Sequence, residues 1–408
     1  MVAVRTSRPV RLFMPNTHRW SPLLALAALL AASPALCAAA GLPATAAAAG
    51  STSEKPALAA LPLISLLLPL DAPDFAPAAG AVQAGCNAAL SYVPAGGFRP
   101  RLETVRTDAG AQRLREAWEG AAQRGANVII GPLTRSGVSA LASGLLSRVA
   151  SPSDPVTPFT LALNVPEDVP RLPPRFHTFG LAIEQEARTI ARAAWVEGQR
   201  SAIVVQGKGL LDRRGGQAFA DEWLAYGGRI VDGRDFDAGT NLETLKAQLA
   251  KLESDILFLS ADAREARRVR PYLNNQIPVF ATSQINDGRQ DPGANVDLIG
   301  IRFVDMPWLL QPDHAAVMVY RRMDSLGPDL QRFYALGIDA CRIAELIIAG
   351  HRRIDIDGVT GHLSLDLGPN PQDRGSVAAR AVTREAPLAS FRDASLPVPP
   401  AESPAPRQ

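Results

Sequence analysis

From Asp255 the chain reads DILFLS and then, after Ala261 and Asp262, AREARRVRPYL. An unbroken apolar run of that length, without alternation, suits a strand covered on both faces. The segment behind it carries its acid early and its arginines late, the order that complements a helix dipole. The same strand pattern recurs in LPLISLLLPL from Leu61, NVII from Asn127, PFTLAL from Pro158, SAIVVQG from Ser201 and PVFATS from Pro278. Helical spacing fills the intervals: Ala187, Ile190, Ala191, Ala194 and Trp195 form one apolar stripe. QRLREAWEGAAQRGA, TRSGVSALASGLLSRV, QAFADEWLAYGG, ETLKAQLAKLE and RFYALGIDACRIAE are further helical segments. Strands alternating with helices predict an α/β fold with parallel sheets, whose ligands sit beyond the carboxyl ends of the strands.

Two such series of similar size follow one another, separated by the proline-dense crossover PEDVPRLPPR. Together they span about 325 residues, more than one hydrophobic core usually supports, so two lobes are expected. Residues 59–168 with about 300–352 are assigned to the first lobe, and 169–299 with about 353–385 to the second. Chain returning between lobes makes each discontinuous and leaves hinge strands between them. Residues 41–58 lack apolar periodicity and are read as a flexible linker. The Pro-rich stretch 386–408 is expected to be a disordered tail.

The first forty residues change the picture of location. Arg5, Arg8, Arg11 and Arg19 precede PLLALAALLAA and the small residues ASPALCAAAG, the pattern of a secretory signal peptide. Cys37 raises the question of lipidation, but Leu36 before it and Pro34 three positions before it are the wrong residues for a lipid-attachment motif. A soluble periplasmic protein is therefore expected, with possible outer-membrane association. Membrane contact is expected only if the amino terminus is lipidated or uncleaved. Without residues 1–40 the balance moves from 42 basic against 40 acidic residues to 38 against 40, a net charge of −2. Such a domain has no electrostatic footprint for nucleic acid. Cys86 and Cys341 could pair in an oxidising compartment, though two separately buried thiols is the simpler reading of their apolar, helical contexts.

Catalytic chemistry is hard to find. His177, His314, His351 and His362 stand at no metal-ligand spacing with each other or with cysteine, so no metal is expected. Neither G-x-S-x-G nor S-x-x-K is present. GKGLLDRRGGQ from Gly207 lacks the P-loop pattern, and no cofactor is implied. Asp355 and Asp357 look like solvated turn residues. The positive signals lie where strands should end at a crevice: Gly131, Thr134 and Ser136 after NVII, Asn164 after PFTLAL, Asp262 after DILFLS, and Thr282, Ser283 and Gln284 after PVFA. Their common position makes a cleft for a small polar ligand plausible. Asp305, Met306 and Trp308 are either core packing or an apolar surface for a protein partner, since Trp anchors often dominate such contacts.

The runs GANVIIGPL, FGLAIEQEARTIARAAW, AREARRVRPYL, ATSQIN, RFVDMPW, RFYALGIDACRIAE and DGVTGHLS resemble the carboxyl-terminal domain of the bacterial penicillin-binding-protein activator lipoproteins. That domain is similar to the type I periplasmic solute-binding proteins of the Leu/Ile/Val-binding kind. The resemblance covers roughly residues 60–385. It implies two discontinuous Rossmann-like lobes joined by hinge strands. It also implies a non-catalytic role, binding and stimulating a class A penicillin-binding protein that builds peptidoglycan. The alternative is the solute-binding subunit of an ABC uptake system for an amino acid or similar ligand. For that alternative, Asn164 stands where amino-acid-binding relatives place small hydroxyl residues, and Gln284 stands near where they place an acid.

Overall fold

Six residues in a row, Leu63–Leu68, five of them apolar, form β1, and all six are buried. They are buried because β1 lies inside a parallel sheet with helices on both faces. The computed structural model describes residues 61–92, 99–108, 110–147, 157–273, 276–289, 292–368 and 375–391. The first series continues with α1 (Ala76–Ser91), β2 (Arg101–Arg106), α2 (Ala111–Gln123), β3 (Val128–Ile130), α3 (Arg135–Leu146), β4 (Phe159–Ala162) and β5 (Phe176–Thr178). Its sheet has the order β2-β1-β3-β4-β5, parallel throughout. Edge strand β2 escapes sequence expectation because its half-exposed residues, RLETVR, never build an apolar run.

The second series comprises α4 (Ile183–Val196), β6 (Ser201–Gly207), α5 (Leu210–Ala225), β7 (Arg229–Phe236), α6 (Leu242–Leu249), β8 (Ile256–Ser260), α7 (Ala263–Val269) and β9 (Val279–Ala281). Then come α8 (Pro292–Asn295), β10 (Ile301–Val304), α9 (Pro307–Leu310), α10 (Ala315–Met318) and α11 (Pro328–Ile348). The last strands are β11 (Arg353–Asp357), β12 (His362–Asp366), β13 (Thr383–Glu385) and β14 (Leu388–Ser390). The second sheet has the order β14-β10-β9-β8-β6-β7, with only β14 antiparallel to its neighbour. Helix ends follow local chemistry: Asn241 and Asp262 cap α6 and α7 by accepting backbone N–H groups three residues on.

Sheet pairing moves several expected boundaries. β5 lies on the edge of the first sheet, so that lobe extends past residue 168. β10 pairs with β9, so the chain leaves the second lobe after Val304 and not near residue 300. β11–β13 form a third, antiparallel sheet. Its Ile354, Leu363 and Leu365 join the core that holds Ile64, Leu66 and Ile338, which places residues 353–366 with the first lobe instead of the second. Residues 388–391, expected to belong to the disordered tail, are instead ordered, since β14 completes the second sheet and Phe391 stacks on Phe303 at 5.0 Å; residues 392–408 lie outside the described residues.

Helices α1 and α11 pack closely because Gly85 and Gly337 leave room. A Cβ on Gly85 would run into the Tyr334 carbonyl oxygen, and one on Gly337 into that of Val82. One residue beyond Gly85, Cys86 is bonded to Cys341, with the two Cα atoms 5.3 Å apart. The reading of two separate thiols is therefore corrected: the contact that buries both also brings them together. Among the described residues no helix is long and apolar enough to cross a membrane. Cys37 and the segments 1–40 and 41–58 lie outside the described residues.

Candidate functional site

Parallel sheets aim their carboxyl ends at the crevice between the lobes, and the expected residues can be followed there one by one. Gly131 is a backbone position: its φ is +115° and a Cβ would strike the Leu67 carbonyl oxygen. Thr134 spends its hydroxyl as the cap of α3, accepting from the Gly137 N–H at 3.1 Å. Ser136, in the first turn of that helix, is exposed. Asn164 is satisfied at both ends of its amide, donating to the Leu133 carbonyl at 3.0 Å and accepting from the Val165 N–H at 3.0 Å. It ties the two strand-end loops of the first sheet together. Asp262 caps α7 through the Glu265 N–H at 2.8 Å.

On the second lobe, the buried hydroxyls of Ser260 at the end of β8 and Thr282 just after β9, and the side-chain oxygen of Gln284, have no hydrogen-bond partner among the described residues. Asp212 and Glu265 meet beside Gly207, with the Asp262 carboxylate near both. Burial, then the neighbouring carboxylates, pushes the Glu265 carboxyl up, and burial together with Asp262 does the same for Asp212. The mouth is bridged by the protein itself. Arg135, the first residue of α3, donates to Glu184 of α4 at 3.2 Å, and Arg214 of α5 donates to the same carboxylate at 2.8 and 3.0 Å. Burial opposes the Glu184 charge, but the Arg214 hydrogen bonds and both guanidiniums hold its carboxyl below the usual range. One carboxylate thus ties helices of the two lobes together.

A deeper polar node lies where the lobes connect. Three crossovers run between them: Phe179–Ala182 from β5 to α4, Asp305–Met306 after β10, and Ala386–Pro387 before β14. The last two touch, the Asp305 N–H donating to the Pro387 carbonyl at 3.3 Å. Arg332 of α11 reaches into this junction and donates to Asp305 at 2.6 Å and to the carbonyls of Ser283 and Asn286 at 3.1 and 2.9 Å. Glu186 accepts from the Ser283 N–H at 3.0 Å and from Arg384 at 3.2 Å. Asp339, one heptad beyond Arg332, accepts from Thr360 through both N–H and hydroxyl, at 2.8 and 2.7 Å. Although burial works against its charge, Asp305 holds Arg332 well above the ordinary guanidinium range. Every charge in the node has a partner of opposite sign or several hydrogen bonds, the condition under which buried ions are tolerated.

Ser283 and Asp305 thus belong to the node, while in the same loop Thr282 is fully buried and Gln284 half-buried. Asp305, Met306 and Trp308 are not a partner surface. Trp308 is completely buried, donates to Gln331 at 2.7 Å and packs on Tyr334. Exposed apolar residues lie elsewhere on the first lobe: Tyr92, Met318 and Val319. Tyr92 and Val319 line a recess of about 360 Å³ with Tyr320, Leu346 and Glu345. Burial there pushes the Glu345 carboxyl up to about 7. With a raised folded-state value, Glu345 does not weaken the fold below its unfolded value near 4.5, and costs stability as pH rises through about 7. Replacing Glu345 by Gln is expected to stabilise the protein at pH 8 by about 1 kcal/mol, discounted for its partial exposure. At pH 4 the substitution should change little. Urea unfolding at the two pH values checks both halves.

Glu184, Glu186, Arg214, Arg332 and Arg384 are the residues that sequence reading passed over. A signal existed for two of them. Glu186 falls on the stripe of Ile183 and Ile190, and Arg332 shares the buried face of α11 with Ala335, Leu336 and Asp339. A charge on an apolar stripe implies a buried partner, but the partner's identity is not local.

The chain matches the family described as "LppC putative lipoprotein" over residues 25–372. It is 27% identical over 302 residues to the penicillin-binding protein activator LpoA of Edwardsiella ictaluri (strain 93-146), covering 63% of this chain and 42% of that protein. To LpoA of Haemophilus influenzae (strain ATCC 51907 / DSM 11121 / KW20 / Rd) it is 26% identical over 321 residues, 75% of this chain and 52% of that protein. The chain therefore spans about half the length of the curated relatives it matches. Among solved structures, a "putative branched-chain amino acid ABC transporter" of Chromobacterium violaceum ATCC 12472 is 34% identical. The match has a TM-score of 0.64 and covers 81% of this chain and 99% of that one. The C-domain of Haemophilus influenzae LpoA, described as a regulator of PBP1A, superposes with a TM-score of 0.63 at 22% identity, covering 83% of this chain and all of that one. The fold is that of the type I periplasmic-binding proteins.

Proposed function

The chain belongs to the LppC family, and we propose that it is a non-catalytic periplasmic regulator that docks onto a class A penicillin-binding protein and stimulates peptidoglycan synthesis. The observation that carries this reading is the state of the crevice mouth. Thr134, Asn164 and Asp262 spend their polar atoms on caps and loop ties, and Glu184 already holds Arg135 and Arg214. Groups consumed internally are poorly placed to capture a solute. The named roles of the LpoA relatives point the same way. Tyr92, Met318 and Val319 are the apolar surface we assign to the partner, in place of Trp308.

The mature protein should co-elute with a class A synthase from the same cell and raise its transpeptidase rate several-fold. Val319→Glu should abolish the stimulation without lowering thermal stability. Failure to stimulate any class A synthase of that cell would remove the proposal. The solute-binding reading draws on the Chromobacterium likeness and on the buried, unpartnered oxygens of Ser260, Thr282 and Gln284. It requires a melting shift with some small metabolite: a ligand at a hundred times its dissociation constant stabilises by about 2.7 kcal/mol.

A further inference from the structure

Opposite the crevice, at the amino-terminal ends of β4 and β5, the first lobe carries a second concavity of about 460 Å³. Its lining is unusually basic: Arg175, His177, His351, Arg352 and Arg380 face a single acid, Asp366. That acid is already engaged, accepting from the Gly368 N–H at 2.8 Å and pairing with Arg353 at 3.2 Å. Arg380 is partly spent on the carbonyls of Leu172 and Pro173. Arg175 and Arg352 have no side-chain hydrogen bond or ion pair among the described residues, so two guanidinium forks stand ready at one cavity. The carboxyl end of α11 also points here, but its partial negative charge is about half a unit, well below the charge of the two free arginines. Arg175 is moreover held at φ +59°, a conformation that a residue with a side chain rarely adopts. Strain of this kind persists where the surrounding structure enforces it, and it concentrates at binding sites.

We propose that this concavity binds the phosphate group of a phosphate ester or diphosphate. Paired guanidinium forks match the geometry of phosphate oxygens bidentately, and a concave basic wall concentrates multivalent anions. A monovalent carboxylate would leave one of the two forks unused. The cavity is not closed on its far side. Past Arg175 and Ile347 lies a neighbouring cavity of about 340 Å³, lined also by Asn127, Thr157, Pro158 and Ile348. Its amide, hydroxyl and apolar surfaces suit a neutral, sugar-sized extension of the same ligand. The site lies at the opposite ends of the strands from the crevice, and it stands or falls independently of the regulator reading.

Calorimetric titration of the mature protein with glucose 1-phosphate, pyrophosphate and glucose tests the proposal, with vesicles containing phosphatidylglycerol as a parallel arm. Glucose 1-phosphate should bind and glucose should not. Arg175→Gly relieves the backbone strain while removing one fork, so it should leave the melting temperature unchanged or raised and weaken binding about 10-fold or more. Arg352→Ala, at an exposed position, should weaken it comparably. Vesicle binding lost in the same two variants would support the site with the phosphate carried by a lipid. Binding of the soluble esters alone would support it with a soluble ligand. No binding in any arm, or binding that survives both substitutions, would overturn the proposal.

Discussion

Replacing Arg332 by Met is expected to cost about 3–5 kcal/mol of folding stability, the range for removing one partner of a buried ion pair. Asp305 is 1% exposed, and without the guanidinium it keeps only the Asn286 amide and the Met306 N–H. The carbonyls of Ser283 and Asn286 lose a donor at the same time. The cost comes mainly from leaving Asp305 charged and buried, so Asp305→Asn in the Arg332→Met background should recover part of it. Because the node sits where two of the crossovers touch, the single variant should also loosen the lobes and broaden the small-angle scattering profile. Urea unfolding of both variants is the measurement. A loss below about 1 kcal/mol would show that the pair is not needed to close the hinge.

Opening the Cys86–Cys341 bond is the second large effect. The bond joins positions 255 residues apart, so it removes a long loop from the unfolded ensemble. Loops of that size correspond to about 3–5 kcal/mol, whether the origin is chain entropy or solvation of the unfolded state. Both sulfurs are fully buried between α1 and α11. Dithiothreitol should therefore act slowly on the folded protein and quickly once urea opens it. The variant with both cysteines changed to alanine should unfold at clearly lower urea and lose its sensitivity to reductant. Equal midpoints for the oxidised protein and the double variant would argue that the bond carries no stability. Such dependence suits a protein of the oxidising cell envelope, where structural disulfides persist.

Much of the fold was open to reading because its causes are local. The apolar runs of β1, β6 and β8 have no alternation and therefore demand cover on both faces. Thr134, Asn241 and Asp262 announce helix starts in the same way. The strand-end positions of the crevice followed from parallel topology, but their occupation did not. Whether Asn164 is free to meet a ligand depends on the Leu133 carbonyl, 31 positions away. Trp308 could be core or surface on sequence grounds, and the packing of α9 under α11 decided for core.

The lobe boundaries failed for a related reason. β10 and β14 are short strands whose sheet is chosen by the edge they find, and β11–β13 follow the core that can bury Ile354 and Leu365. By itself the amino-acid sequence determined a parallel α/β architecture in two series, the helix starts, and a relationship that places the chain among binding-type folds. Tertiary structure alone decided which charges are buried and with whom. Glu186 meets Arg384 across 198 positions and Arg332 meets Asp305 across 27. A buried charge survives only with a partner, and here the partners arrive from separate elements of the chain, so no local pattern could name them.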